Sequence, residues 1–142
     1  MGNTKIKHFV IENQIGELST LAEQIDDLAA QWELTQAMAM NINLVIEEAV
    51  SNIIFYAFNN DNNSNKHKIK ISISLKNKLL TIKITDDGFL FNPLEQQQPD
   101  INLPAEERPV GGLGIFLISH MMDELNYIRK GNHNILTLYK SL

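Results

Sequence analysis

The amino-acid sequence predicts an α+β fold of two layers, a mixed but mostly antiparallel sheet covered on one face by about three helices. Three observations carry that expectation. The first 58 residues contain two long segments whose apolar residues recur at spacings of three and four, the signature of amphipathic helices. The middle of the chain holds two segments of strict apolar/polar alternation separated by a two-residue turn. The last thirty residues read as a short helix followed by a strand pair around Gly131-Asn132.

Taken in order, Ile6–Ile11 is short and rich in β-branched and aromatic residues, so it reads as a first strand, closed by Gly16. Ile15, Leu18, Leu21, Ala22, Ile25, Leu28, Ala29 and Trp32 then keep helical spacing. Thr35 is placed to cap a second helix running from about Gln36 to Phe58, with Ile42, Val45, Ile46, Ala49, Val50, Ile53, Ile54 and Ala57 as its apolar stripe. Met38 and Met40 read most simply as core or packing residues. The run Asn59–Asn65 breaks both periodicities and predicts a loop. Ile69, Ile71, Ile73 and Leu75, then Leu80, Ile82 and Ile84, alternate with polar residues, and Asn77-Lys78 between them predicts a tight hairpin. From Leu90 to Val110 no period survives four prolines and a Gln96-Gln-Gln98 run, which predicts one long loop of the kind that serves as a lid or binding segment. Gly111-Gly-Leu-Gly114 ends it and opens a helix to about Met122; Leu125–Ile128 and Ile135–Tyr139 form the closing strands.

A chain of 142 residues suits one domain, with 44% hydrophobic and 20% charged residues giving a globular composition. No apolar run approaches the roughly 20 residues of a membrane span, and no signal-like segment opens the chain, so a cytoplasmic protein without membrane attachment is expected. The absence of cysteine excludes disulfides, thiolate metal sites and cysteine nucleophiles. A formal charge of −5 argues against direct nucleic-acid binding, which needs a basic surface.

Three stretches carry chemistry beyond the core pattern. Glu48 and Asn52 lie four apart on the second helix, one turn above the other at about 6 Å between Cβ atoms. Together they offer a proton acceptor beside an oxygen ligand for a hard cation such as Mg²⁺, or else a solvated polar face. Asp86-Asp87-Gly88 stands where a strand opens into the long loop. A buried Asp86 there would accept a hydrogen bond from an exocyclic amine and so select adenine; the plain alternative is a turn. Gly111-Gly112-Leu-Gly114 leaves backbone N–H groups unobstructed at a helix start, the outline of an anion site. No lysine follows those glycines, and no strand precedes them, so neither a phosphate-cradling P-loop nor a dinucleotide fingerprint is present. His8, His67, His120 and His133 show no metal-ligand spacing and read as structural or solvated, and Ser51 as a helix serine bonded to its preceding turn.

In this order, Glu48-Ala-Val-Ser-Asn52, Asp86-Asp-Gly88, a proline-containing loop and Gly112-Leu-Gly114 resemble the boxes of the Bergerat-fold ATPases, the GHKL superfamily, from about Asn41 to Leu138. The details are most similar to the small anti-sigma-factor serine kinases of the RsbW type. The resemblance implies a single ATP-binding domain over residues 1–142, with a lid at about 89–111 and ATP and Mg²⁺ as cofactors. It implies Glu48 as general base, Asn52 as the Mg²⁺ ligand and Asp86 as receiver of the adenine amine. Gly88, Gly111, Gly112 and Gly114 would bring backbone close to the nucleotide, and Arg108 in the lid would contact the γ-phosphate. It further implies a protein serine/threonine kinase that regulates transcription by partner switching, with a sigma factor and a small antagonist of the STAS type as partners and a homodimer as a compatible assembly. A catalytically silent nucleotide-sensing switch and a detached histidine-kinase ATPase domain are the alternatives within the same resemblance. The sequence departs from the second box at its last position, where Leu90 stands in place of a glycine.

Overall fold

The hairpin at the centre of the chain is the centre of the sheet. β2 (Lys68–Lys76) and β3 (Leu79–Asp86) pair antiparallel through a turn in which Asn77 and Lys78 both take positive φ, 51° and 67°, the twist that a two-residue hairpin favours. β1 (Lys5–Glu12) pairs with the outer edge of β2, while β5 (His133–Ser141) pairs with β3 and β4 (Glu124–Lys130) closes the far edge. The resulting order is β1-β2-β3-β5-β4, and every pairing is antiparallel. The computed structural model describes residues 4–58, 67–95 and 112–142.

Alternation sets the two faces. Phe9, Ile11, Ile69, Ile71, Ile73, Leu80, Ile82, Ile84, Leu136 and Leu138 share the inner face and are buried. Three helices cover it: α1 (Glu17–Gln31), α2 (Gln36–Asn52) and α3 (Gly112–Met121). Leu21, Ile25 and Leu28 from α1, Ile42 to Ile53 from α2 and its extension, and Ile115 and Ile118 from α3 join the strands in one core. The opposite face is open, with Ile6 and Val10 each 56% exposed and Lys70 and Lys83 in water. Thr35 caps α2 as expected, its hydroxyl accepting from the Met38 N–H at 3.1 Å.

Four details differ from the sequence reading. Met40 is 70% exposed because it lies two residues before Ile42, on the opposite side of α2 from the buried stripe, whereas Met38 keeps the phase and packs on the core. Ile15 is exposed, since α1 begins only at Glu17. The end of the second helix, Ile53–Ala57, is a π-helical turn in place of continued α-helix. Pro93–Glu95 forms one 3₁₀ turn within the stretch read as structureless. The continuous helix Gln36–Ala57 is long and apolar enough, by length and composition, to cross a membrane, but its stripe is the core of this domain. The predicted loop Asn59–Asn65 lies outside the described residues, as does most of the predicted lid.

Candidate functional site

Toward the end of β3 the inner face of the sheet turns from apolar to polar. There Asp86 on β3 faces Asn134 on β5, which faces Arg129 on β4, three polar residues in register where the pattern calls for apolar ones. Asp86 is 2% exposed and Asn134 4%. Asp86 Oδ1 accepts from the Gly88 N–H at 2.9 Å and from Asn134 Nδ2 at 3.0 Å, and Oδ2 has no partner among the described residues. Burial pushes the Asp86 carboxyl above its ordinary value of 3.8; the hydrogen bonds from Asn134 and Gly88 pull it back, Asp87 raises it further and Arg129 lowers it. A buried carboxylate with one oxygen tied down and the other open is an acceptor waiting for a donor.

Asn134 is the hub of this row. Its Nδ2 donates to Asp86 Oδ1 and to the Phe89 carbonyl at 2.8 Å. Its Oδ1 accepts from the Tyr127 hydroxyl, from Arg129 Nη1 at 3.1 Å and from the Phe91 N–H at 3.3 Å. Arg129 Nη1 also donates to the Gly88 carbonyl at 2.8 Å. The whole turn from Asp86 to Phe91 is therefore held by one amide and one guanidinium from the neighbouring hairpin. Sequence reasoning missed Asn134, Arg129 and Tyr127; the available signal was an asparagine at the inward phase of a strand, two residues before Leu136.

The turn is also locked to the second helix. The Phe89 N–H donates to the Ala57 carbonyl at 2.7 Å, the last carbonyl of the π-turn. A Cβ added at Gly88 would stand 2.6 Å from that oxygen, so glycine is required by this approach. Tyr56, in the same turn, stacks on Phe91 with ring centroids 5.5 Å apart, and its buried hydroxyl has no partner among the described residues. His67 Nδ1 lies 3.0 Å from Asp87 Oδ1, and its ring packs on Phe58, so this histidine is structural, as expected. Beside the turn, a cleft of about 370 Å³ is lined by Ala57, Gly88, Phe89, Leu90 and Arg129 among others.

Asn52 ends α2 immediately before that π-turn, and Glu48 lies one turn earlier. Asn52 is 7% exposed and its side chain has no hydrogen-bond partner among the described residues, which leaves its amide to water or a ligand. Glu48 is half-buried, and burial followed by the charge of Glu47 raises its carboxyl above the ordinary 4.5. An open amide oxygen beside a carboxylate fits a hard cation that keeps waters and phosphate oxygens as its other ligands. Gly112 and Gly114 fall in the first turn of α3, at a helix amino terminus. Arg108 and Gly111 lie outside the described residues.

A family model described as "Histidine kinase-like ATPase domain" matches residues 11–140. The chain belongs to this family. Its antiparallel five-stranded sheet under three helices is the Bergerat fold of the GHKL ATPases. A serine-protein kinase RsbW of Bacillus cereus is 32% identical over 100 residues, which cover 68% of this chain and 60% of that protein. A serine/threonine-protein kinase BtrW of Bordetella bronchiseptica is 24% identical over 114 residues, 80% of this chain and 78% of that protein. The matched region thus spans about three fifths of the RsbW relative's length. Among solved structures, the histidine kinase domain of the Erythrobacter litoralis EL346 blue-light activated histidine kinase matches over 90% of this chain and 60% of that one. The TM-score is 0.51 at 18% identity, a likeness of fold.

Proposed function

We propose that this GHKL ATPase domain, a single unit over residues 1–142, is an ATP-dependent protein serine/threonine kinase of the anti-sigma-factor type. It phosphorylates a small antagonist protein of the STAS type and so controls the release of a sigma factor in the cytoplasm. The observation that carries the nucleotide part is Asp86: a buried carboxylate at a strand end whose Oδ1 is tied down while Oδ2 has no partner among the described residues. The kinase part is supported by the similarity to proteins named serine and serine/threonine kinases.

In this reading Asp86 Oδ2 accepts from the adenine amine, and Gly88, Gly111, Gly112 and Gly114 bring backbone to the nucleotide. Arg108 pairs with the γ-phosphate, as a guanidinium suits phosphate oxygens. Asn52 holds Mg²⁺, which when bound neutralises phosphate charge. Glu48 orients the serine hydroxyl of the antagonist and takes its proton as that oxygen bonds to the γ-phosphorus and the bond to the bridging oxygen of ADP breaks. Its raised pKa makes it a better base once ionised, and transfer falls away as pH drops through that raised value.

The test is radiolabel transfer from γ-labelled ATP to a co-purified antagonist, by wild type and Glu48→Gln. The expected outcome is phosphoserine with wild type only, and unchanged Mg-ATP affinity in both. Native-rate transfer by Glu48→Gln would remove Glu48 from the role of base, whereas nucleotide binding without any transfer by wild type would favour a nucleotide-sensing switch.

A further inference from the structure

The Asp86 carboxylate recognises a base only while its open oxygen is an acceptor. A protonated carboxyl would present a donor, which suits a 6-oxo purine as well as a 6-amino one. Donors on Oδ1 stabilise the ionised carboxylate, whose Oδ2 can only accept, and the side chain that supplies such a donor across the sheet is Asn134. Its amide cannot turn over at low cost. Reversal would set the amide oxygen against the Phe89 carbonyl and the Asp86 carboxylate, and the NH₂ group against the Phe91 N–H and the Arg129 guanidinium. The donor toward Asp86 is therefore fixed by partners on β4 and by the backbone at the start of the 89–95 segment, all of them outside the Asp86-Asp-Gly88 motif.

We propose that Asn134 is the positioning residue that gives the site its preference for a 6-amino over a 6-oxo purine nucleotide, by donating to Asp86 Oδ1 and so reserving Oδ2 as an acceptor. The inference rests on the nucleotide reading of Asp86 and adds to it a residue that acts through Asp86 without touching the base. Arg129 and Tyr127 serve the same end one step further out, by pinning the amide oxygen. The remaining donor on Oδ1, the Gly88 N–H, is part of the turn that Asn134 itself holds through the Phe89 carbonyl. Loss of the amide therefore weakens both.

The experiment compares the affinities of Mg-ATP and Mg-inosine triphosphate for wild type, Asn134→Val and Asn134→Thr. Valine and threonine have the same shape and both suit a strand, but only threonine keeps a hydroxyl donor directly across from Asp86, where opposed residues stand about 5 Å apart at Cβ. Wild type should prefer ATP by about tenfold or more, the range of one hydrogen bond to a charged group. Asn134→Val should bring the ratio of the two affinities close to one, and Asn134→Thr should keep it within about threefold of wild type. General damage to the fold weakens both nucleotides together and leaves the ratio alone, so the ratio isolates positioning. If Asn134→Val does not fold by circular dichroism, the smaller pair Asn134→Ala and Asn134→Ser carries the same contrast. A wild-type ratio retained by Asn134→Val overturns the role of Asn134 while the nucleotide reading stands. A ratio lost equally in Asn134→Thr overturns it too, because a donor at this register would then count for nothing. Wild type binding both nucleotides alike, or neither, overturns the nucleotide reading itself and this inference with it.

Discussion

At Gly88 the missing side chain is a structural requirement. With Ala57 O only 2.6 Å from the position of a Cβ, Gly88→Ala must push the turn off the helix end or break the bond from the Phe89 N–H to that carbonyl. Overpacking of this kind costs about 1–3 kcal/mol, so denaturant unfolding should give a lower midpoint at unchanged slope. Asp86 presents the opposite case, a residue that costs stability where it stands. Its folded pKa is raised above the ordinary 3.8, so its contribution is fully favourable below that value and is lost as pH rises through the folded value. Asp86→Asn keeps an oxygen for Gly88 and Asn134 but cannot ionise. Thermal melts run in parallel should show the variant gaining on wild type as pH is raised from about 4 toward 7; a constant difference would mean that Asp86 titrates normally. Of these two residues the sequence made both visible, because Asp-Asp-Gly after an alternating strand is a strong local pattern. Asn134 was invisible as a site residue, since its partner lies 48 positions away and only the register of β3 on β5 brings them together.

The elements divide in the same way. Periodicity located every α-helix and strand of the described residues, because burial on one face imposes periods of 3.6 and 2 that survive in a single sequence. It could not reveal the π-turn at Ile53–Ala57, where the same apolar stripe continues and only the hydrogen-bond partner changes. That turn delivers the Ala57 carbonyl to Phe89, so the one irregularity in the helix is what joins α2 to the end of β3. The end of α1 was equally illegible, for it is a glycine-type cap without glycine. The Leu34 N–H bonds to the Ala29 carbonyl at 2.9 Å and the Glu33 N–H to the Ala30 carbonyl at 3.1 Å, with Glu33 at φ 56°. A glutamate there carries both the steric cost of a left-handed backbone and a negative charge at the negative end of the helix dipole. Glu33→Gly should stabilise the fold by about 1 kcal/mol, measured as a higher midpoint of urea unfolding. A destabilised variant would show that the exposed Glu33 side chain contributes more than its backbone costs.

Over the whole molecule, the candidate site is drawn from segments that are remote in the chain: α2 supplies Glu48 and Asn52, the end of β3 supplies Asp86 and Gly88, β5 supplies Asn134 and the first turn of α3 holds Gly112 and Gly114. Each motif was readable alone with a bland alternative of equal or greater weight, and their order along the chain raised the nucleotide reading above those alternatives. What no sequence pattern contained was the polar row that ends the inner face, because it exists only after three strands have paired. A ligand that touches all of these segments binds the folded domain and has nothing comparable to bind in the unfolded chain. At a concentration one hundred times its dissociation constant, such a ligand adds about 2.7 kcal/mol to stability, which for a chain of this length raises the melting temperature by several degrees. Mg-ATP should therefore shift the melting curve of wild type upward in a concentration-dependent way. Asp86→Asn should remove the shift although it leaves the fold intact, since the amide offers the adenine amine an NH₂ group or a neutral oxygen in place of a carboxylate. Asn52→Ala should weaken the shift only where Mg²⁺ is present, because its proposed part is to hold the ion. Equal shifts in wild type and both variants would mean that the nucleotide stabilises the domain from somewhere other than the row formed by Asp86, Asn134 and Arg129.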